Sequence, residues 1–410
     1  MRKVFLTLAF ALIAVPADAN EKDTGLPDAA AVQTALDTHP SVLAARARVD
    51  AAKAHANALS RGSYEVEVTG RYDKRRVDFE GDFDEYNFEL SRSFRLPGKA
   101  ALDRKVGMYS VTEAENLAED AKHQAALMLI AYWWDWLGAE EQARVDRQAV
   151  GNYQRALKAV MRRVELRDAA QLDADQSAAA LASASSLAEQ SAGRAAVARA
   201  RLQAHFPALA LGQTAPSVPV PYVPERGLAP LRELVLSNSH EIAAADARAK
   251  AMSAKADRDG KDRMADPTLG LRLFSERGGM ERGAGVAITF PLGGGHRKAL
   301  ASQSRAEASA AQADAQLARF LVRETADTDL AEARYRYSIW QRVRESLSAQ
   351  MAALEKQRTG YSQGEIDLAD LLLGERMVHD AFRSESEART AAMRAITRLR
   401  IDSHQLWLGD

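Results

Sequence analysis

The chain has 410 residues, with 55 Lys and Arg against 56 Asp and Glu, a net charge of −1 and no cysteine. That balance gives no electrostatic reason to expect nucleic acid as a partner. The missing cysteine removes disulfides, thiolate metal sites, cysteine nucleophiles and the residue on which a bacterial lipid anchor is built.

Residues 1–19 read as a secretory signal, with Arg2 and Lys3 ahead of an apolar run and Ala17, Asp18 and Ala19 as the small-x-small cleavage site. No later segment reaches the roughly 20 apolar residues of a spanning helix, so membrane contact is expected only through strands. A first helix is expected over 29–61, with Pro40 in its early turns and Gly62 after it. Residues 64–72 then alternate, placing Tyr64, Val66, Val68 and Tyr72 opposite Glu65, Glu67 and Arg71. A charged loop over 73–85 leads to a second alternation over 86–94. Here Tyr86, Phe88, Leu90 and Phe94 oppose Asn87, Glu89 and Ser91, and Arg92 interrupts the apolar face.

A proline-free helix follows from Lys99 to about Val164, on the order of 100 Å long. A turn over 164–168 and a small-residue helix over 170–205 complete the first half. Half of the chain's 12 prolines lie in 207–230, which reads as a linker. Beyond it, a helix, strands over 268–275 and 283–290, a helix over 296–358, a turn over 359–364 and a helix from about 365 are expected. Trp340, Val343, Leu347, Met351 and Leu354 give the long helix a coiled-coil seam.

The two halves echo each other. Leu36, His39 and Pro40 return 200 residues later as Leu236, Ser239 and His240, and Phe94, Leu96 and Gly98 return as Phe290, Leu292 and Gly294. The expected division is a signal (1–19), a first structural repeat (20–206), a linker (207–230), a second repeat (231–402) and a tail (403–410). The strands alone fit either transmembrane strands or two ordinary hairpins packed on helices. The helix lengths favour a tube. Four strands cannot close in lipid, whereas three chains supply twelve, which can. The expected fold is therefore mainly α with a small β part: a homotrimeric α-barrel continuing a 12-stranded transmembrane β-barrel. The apolar strand faces would meet membrane lipid, and Glu65, Glu67, Arg71 and Glu89 would face the lumen.

On these residues the chain resembles the TolC-like outer-membrane factors, the exit ducts of bacterial tripartite efflux systems. The resemblance covers about 29–402 and is carried by the duplicated helix starts, the paired strands, the corner from Phe94 to Lys99 and the two helix tips. The corner and the tip from Arg163 to Asp173 lean toward the heavy-metal (cobalt-zinc-cadmium) efflux branch. The resemblance implies a channel in the outer membrane of a Gram-negative bacterium, extending into the periplasm. Its implied partners are a periplasmic adaptor (membrane fusion protein) and an inner-membrane pump. It also implies that Tyr361, Asp367 and Asp370 line a closed periplasmic entrance. The tips at Val164, Leu166 and Arg167 and at Gly360, Ser362 and Gly364 would dock the adaptor. Asp367 and Asp370, three apart, are expected on one helix face, and no equivalent of the family's entrance-locking arginine is recognisable.

The competing reading is a periplasmic helical scaffold or adhesin without a pore, which has no use for four amphipathic strands. An enzyme fares worst. His296 follows three glycines without the spacing of a phosphate loop. The eight histidines show no metal-ligand spacing. Trp133, Trp134 and Trp136 read as a packing band. No cofactor and no metal site is expected.

Overall fold

The computed structural model describes residues 25–223 and 227–408, so the signal expected over 1–19 lies outside the described residues. The single helix expected over 29–61 is two. Helix α1 (Ala29–Asp37) is capped by Asp28, whose carboxylate accepts from the Ala31 amide at 3.0 Å. Helix α2 (Pro40–Arg61) starts afresh from His39, because Pro40 fits a first turn but cannot continue a hydrogen-bond ladder. Gly62, at φ 87°, ends it.

Strands β1 (Val66–Val77) and β2 (Gly81–Ser93) lead into α3 (Lys99–Glu165) and α4 (Gln171–His205). The second half holds α5 (Ala229–Ser237), α6 (His240–Lys261), β3 (Thr268–Glu276), β4 (Glu281–Thr289), α7 (Gly295–Gln363) and α8 (Leu368–Asp402). Counterparts match in length: 9 residues for α1 and α5, 22 for α2 and α6, 35 for α4 and α8. Helix α5 begins inside the stretch expected as linker, because Pro230 sits in its first turn, where the missing N–H costs nothing.

Helix α3 packs on α2 and α6, and α6 packs on α7; toward the other end α3 packs on α4 and α8, and α8 on α7. Each level is therefore one row of four helices, α2–α3–α6–α7 and then α4–α3–α8–α7. A wall one helix thick buries its seams rather than a central core. On α4 the buried Ser177, Ala184 and Ser191 recur every seven residues, the coiled-coil period. Gly107 and Gly138 mark close approaches of α3 to its neighbours. A Cβ on either would lie 2.8 Å from a neighbour, Ala56 Cβ and Thr390 Cγ2 respectively. The exception is a true core at mid-height. There Trp133, Trp134 and Trp136 are buried with Leu36, Leu202, Phe206 and Ile401, the packing role expected of them. Trp134 Nε1 donates to Thr397 Oγ1 at 2.8 Å. In the α7 seam Trp340, Leu347 and Leu354 are buried, but Met351 is exposed.

The four strands form one antiparallel sheet in the order β1–β2–β3–β4. Register aligns Val68, Leu90, Leu271 and Val286 in one row, and Val66, Arg92, Leu269 and Ile288 in the next. This apolar face lies open, with Val68 62% and Val286 68% exposed. The loop expected over 73–85 is mostly strand, since β1 and β2 stay paired up to Val77 and Gly81. Cross-strand ion pairs, Arg75 with Glu85 at 3.3 Å and Arg76 with Asp82 at 3.7 Å, support the ribbon where apolar alternation stops.

Candidate functional site

At the far end of the helices the two turns are built alike. The Asp168 amide donates to Arg163 O at 2.8 Å and the Arg167 amide to Val164 O at 3.0 Å; Glu365 and Gly364 repeat this on Gly360 O and Tyr361 O at 2.8 and 3.1 Å. Both are Schellman turns, with Arg167 (φ 60°) and Gly364 (φ 76°) in the left-handed position. Helix α7 continues to Gln363, so Gly360 and Ser362 lie in its last turns and not in a loop. Arg167 carries a Cβ where the backbone favours glycine. Arg167→Gly is expected to stabilise the subunit by about 1 kcal/mol, read as a higher unfolding temperature. An unchanged midpoint would show that the strain is relaxed.

Helix α8 begins at Leu368, not near Glu365. Asp367 is its N-cap, accepting from the Asp370 amide at 2.9 Å. The two carboxylates therefore do not share a helix face. One is committed to the cap and both are exposed, gathered at a helix N-terminus where the backbone dipole favours negative charge. Behind them Val160, Ala174 and Leu368 form a small core with Val164, Tyr361, Leu371 and Leu372, which joins all four helix ends. Arg163 crosses this junction. Its Nη1 donates to Tyr361 Oη at 2.7 Å, its Nε donates to Asp168 at 3.0 Å, and its guanidinium lies 5.6 Å from the Tyr361 ring centre. No local pattern announces this clasp, because its partners lie 198 residues apart.

On the sheet, the face opposite the apolar one carries Glu67 with Ser91, Thr69 with Glu89 and Arg272, and Arg71 with Asn87 and Phe274. Glu65 falls one residue before β1 and is not in the ladder. Arg272, absent from the expected set, donates to Asn87 Oδ1 and stacks on Phe274. From Glu85 to Ser91 in β2 the polar members are half-buried and the apolar ones exposed, so this stretch of the sheet curls toward its polar face.

Where sheet meets helix, Lys99 is fully buried. Its Nζ reaches Asp262 and Asp266 at 2.8 Å each and Met264 O at 2.7 Å. Tyr64 Oη and the Leu96 amide also donate to Asp266, at 2.7 and 2.8 Å. Burial alone would push the Asp266 carboxyl up; the hydrogen bonds from Lys99, Tyr64 and Leu96 outweigh it and hold the group below its usual range.

At mid-height His123 on α3 meets the end of α8. Its Nε2 lies 2.9 Å from Asp402 Oδ1 and its Nδ1 3.9 Å from Asp120 Oδ1. Burial opposes the imidazolium, but these carboxylates outweigh it and raise His123 to about 9. Burial and the neighbouring Asp402 push Asp329 up to about 7, and Arg398 bridges the pair from 3.0 and 3.6 Å. The Oδ2 atoms of Asp329 and Asp402 are buried without other partners, and one shared proton satisfies both. Both raised groups hold protons more tightly folded than unfolded. The Asp329 contribution is full below its ordinary 3.8 and gone above about 7, and the His123 contribution is full below its ordinary 6.5 and gone above about 9. The unfolding temperature is expected to fall from about pH 4 to about 9, and His123→Gln to flatten the part of that fall above about 6.5. A flat wild-type profile would refute this.

No protein-family model matches the sequence, and no curated protein sequence is similar enough to register. Solved structures do match along nearly the whole chain. The open-state outer membrane channel MtrE of Neisseria gonorrhoeae is 15% identical, with a TM-score of 0.72 over 93% of this chain and 89% of that one. The Campylobacter jejuni outer membrane channel CmeC gives 13%, 0.70, 93% and 86%. The Vibrio cholerae outer membrane protein VceC gives 16%, 0.68, 93% and 95%. The chain has the outer-membrane channel fold. Within that fold the α8 start brings Asp367 and Asp370 together, the core behind them holds Tyr361, and the tip residues Val164, Leu166, Arg167, Gly360, Ser362 and Gly364 cluster at the same end. Glu67, Arg71 and Glu89 lie on the sheet's polar face, at the other end of the molecule.

Proposed function

We propose that the chain is one subunit of a trimeric exit duct in the outer membrane. It would passively export substrate delivered by an inner-membrane pump through a periplasmic adaptor, with heavy-metal cations as the cargo class to test first. The observation that carries this reading is the alignment of open edges. The sheet ends at β1 and β4, the upper helix row at α2 and α7, and the lower row at α4 and α7. Further copies seated on these edges satisfy all three levels at once, and closure removes the strand edges that lipid would not tolerate. The exposed apolar sheet face favours this reading over a pore-less rod. The two structural repeats, α1 to α4 and α5 to α8, each supply half of the wall.

The tip is assigned as the periplasmic entrance. Asp367 and Asp370 of three subunits make a negative ring, and the Arg163–Tyr361 clasp holds each subunit's helix ends together. Single-channel recording in planar bilayers tests this. Tyr361→Phe removes the acceptor of Arg163 and is expected to raise conductance. Joint replacement Asp367→Asn and Asp370→Asn is expected to weaken block by divalent cations and to lower cation preference. Unchanged block and selectivity would reduce the pair to a helix cap. Adaptor docking is assigned to the same tips. Arg167→Glu or a bulky residue at Gly360 should abolish resistance while membrane trimer persists.

A further inference from the structure

We infer that Arg92 binds the phosphate of a phospholipid in the leaflet nearer the helices, with Phe94 forming one wall of the site. The inference rests on the reading that the sheet is part of a membrane barrel. Arg92 stands on the exposed apolar face, with Val66 and Leu269 across the neighbouring strands and Leu90 and Phe94 two residues away along its own. Among the described residues no carboxylate pairs with Arg92, and its guanidinium carbon lies 6.0 Å from the Phe94 ring centre. Three of the cations at the hairpin end of the same sheet are paired: Arg75 with Glu85, Arg76 with Asp82, and Arg277 with Glu80 and Glu281.

The direction of the side chain matters. Phe94 lies on the helix side of Arg92, so the guanidinium turns toward the corner and away from the middle of the apolar band. Long cationic side chains near a hydrocarbon boundary take this course, burying the stem and delivering the charge to the interface. Two residues of strand span about 7 Å, within an arginine's reach of that boundary. Exposed apolar surface continues there, with Phe290 64% and Leu292 95% exposed, as a seat for glycerol and acyl carbons. A planar guanidinium without a protein acid, set among apolar side chains, matches a phosphodiester, which accepts two parallel N–H bonds. Each subunit supplies one such site.

The test uses the full chain, extracted from membranes in mild detergent. Retained phospholipid is counted by phosphorus assay and native mass spectrometry after detergent exchange. A band that shifts on heating reports trimer assembly independently. The wild-type trimer is expected to retain phospholipid, Arg92→Lys to keep part of it, and Arg92→Gln to keep about tenfold less, the lower end of what a charge-assisted contact contributes. A wild-type trimer that carries no phospholipid overturns the site but leaves the barrel standing. So does an Arg92→Gln trimer that retains as much as wild type. A wild-type chain that forms no membrane trimer overturns the barrel reading itself.

Discussion

Replacing Lys99 by methionine is expected to lower the stability of the subunit by about 3–5 kcal/mol, the cost of breaking a buried ion pair from one side. The Asp266 carboxylate would keep Tyr64 and the Leu96 amide but lose its counter-charge in a site closed to water. It would then have to take up a proton or admit water, and either opens the corner from which α3 leaves the sheet. Lys99→Met combined with Asp266→Asn should recover much of the loss, because no bare charge remains. The measurement is the unfolding temperature of the purified protein, with the double variant read beside the single ones. A single-variant loss under about 1 kcal/mol, the scale of an exposed pair, would show that the corner is wet.

Placing a lysine on the open face should be nearly as costly. Val68→Lys or Leu271→Lys puts a charge in the row shared with Leu90 and Val286, in the middle of the apolar band, at about 2–4 kcal/mol per copy. Assembly into membranes should fall. Glu67→Lys, one residue away on the other face, should leave assembly intact and shift conductance. Recovery of the Val68→Lys and Leu271→Lys chains as abundant membrane trimer would mean that this face does not meet lipid.

Period-2 alternation made the strands legible because one face of each had to be apolar. The same rule failed at 73–85. Past the apolar band both faces are charged, so the pattern vanishes although the ladder continues. The long helices were legible from the absence of proline. The break at Thr38 was missed because a proline in an early turn is compatible with either one helix or two. Asp367 and Asp370 were legible as a pair, but Asp367 is a cap, a distinction set by where the preceding turn closes. The Arg163–Tyr361 clasp and the Lys99 corner had no local signal at all. Their partners are 198 and 163–167 residues apart, and only the lateral order of the helices and strands brings them together.

The one-helix-thick wall has a consequence for calibre. In the proposed trimer twelve helices stand side by side, and with about 9 Å between neighbouring axes the ring is roughly 110 Å around and roughly 35 Å across. Those spacings are set by the side chains in the seams, among them Ser177, Ala184 and Ser191. Each enlargement there would be repeated three times around the circumference. The width of the duct is therefore encoded where helices touch one another, at positions that never meet the substrate.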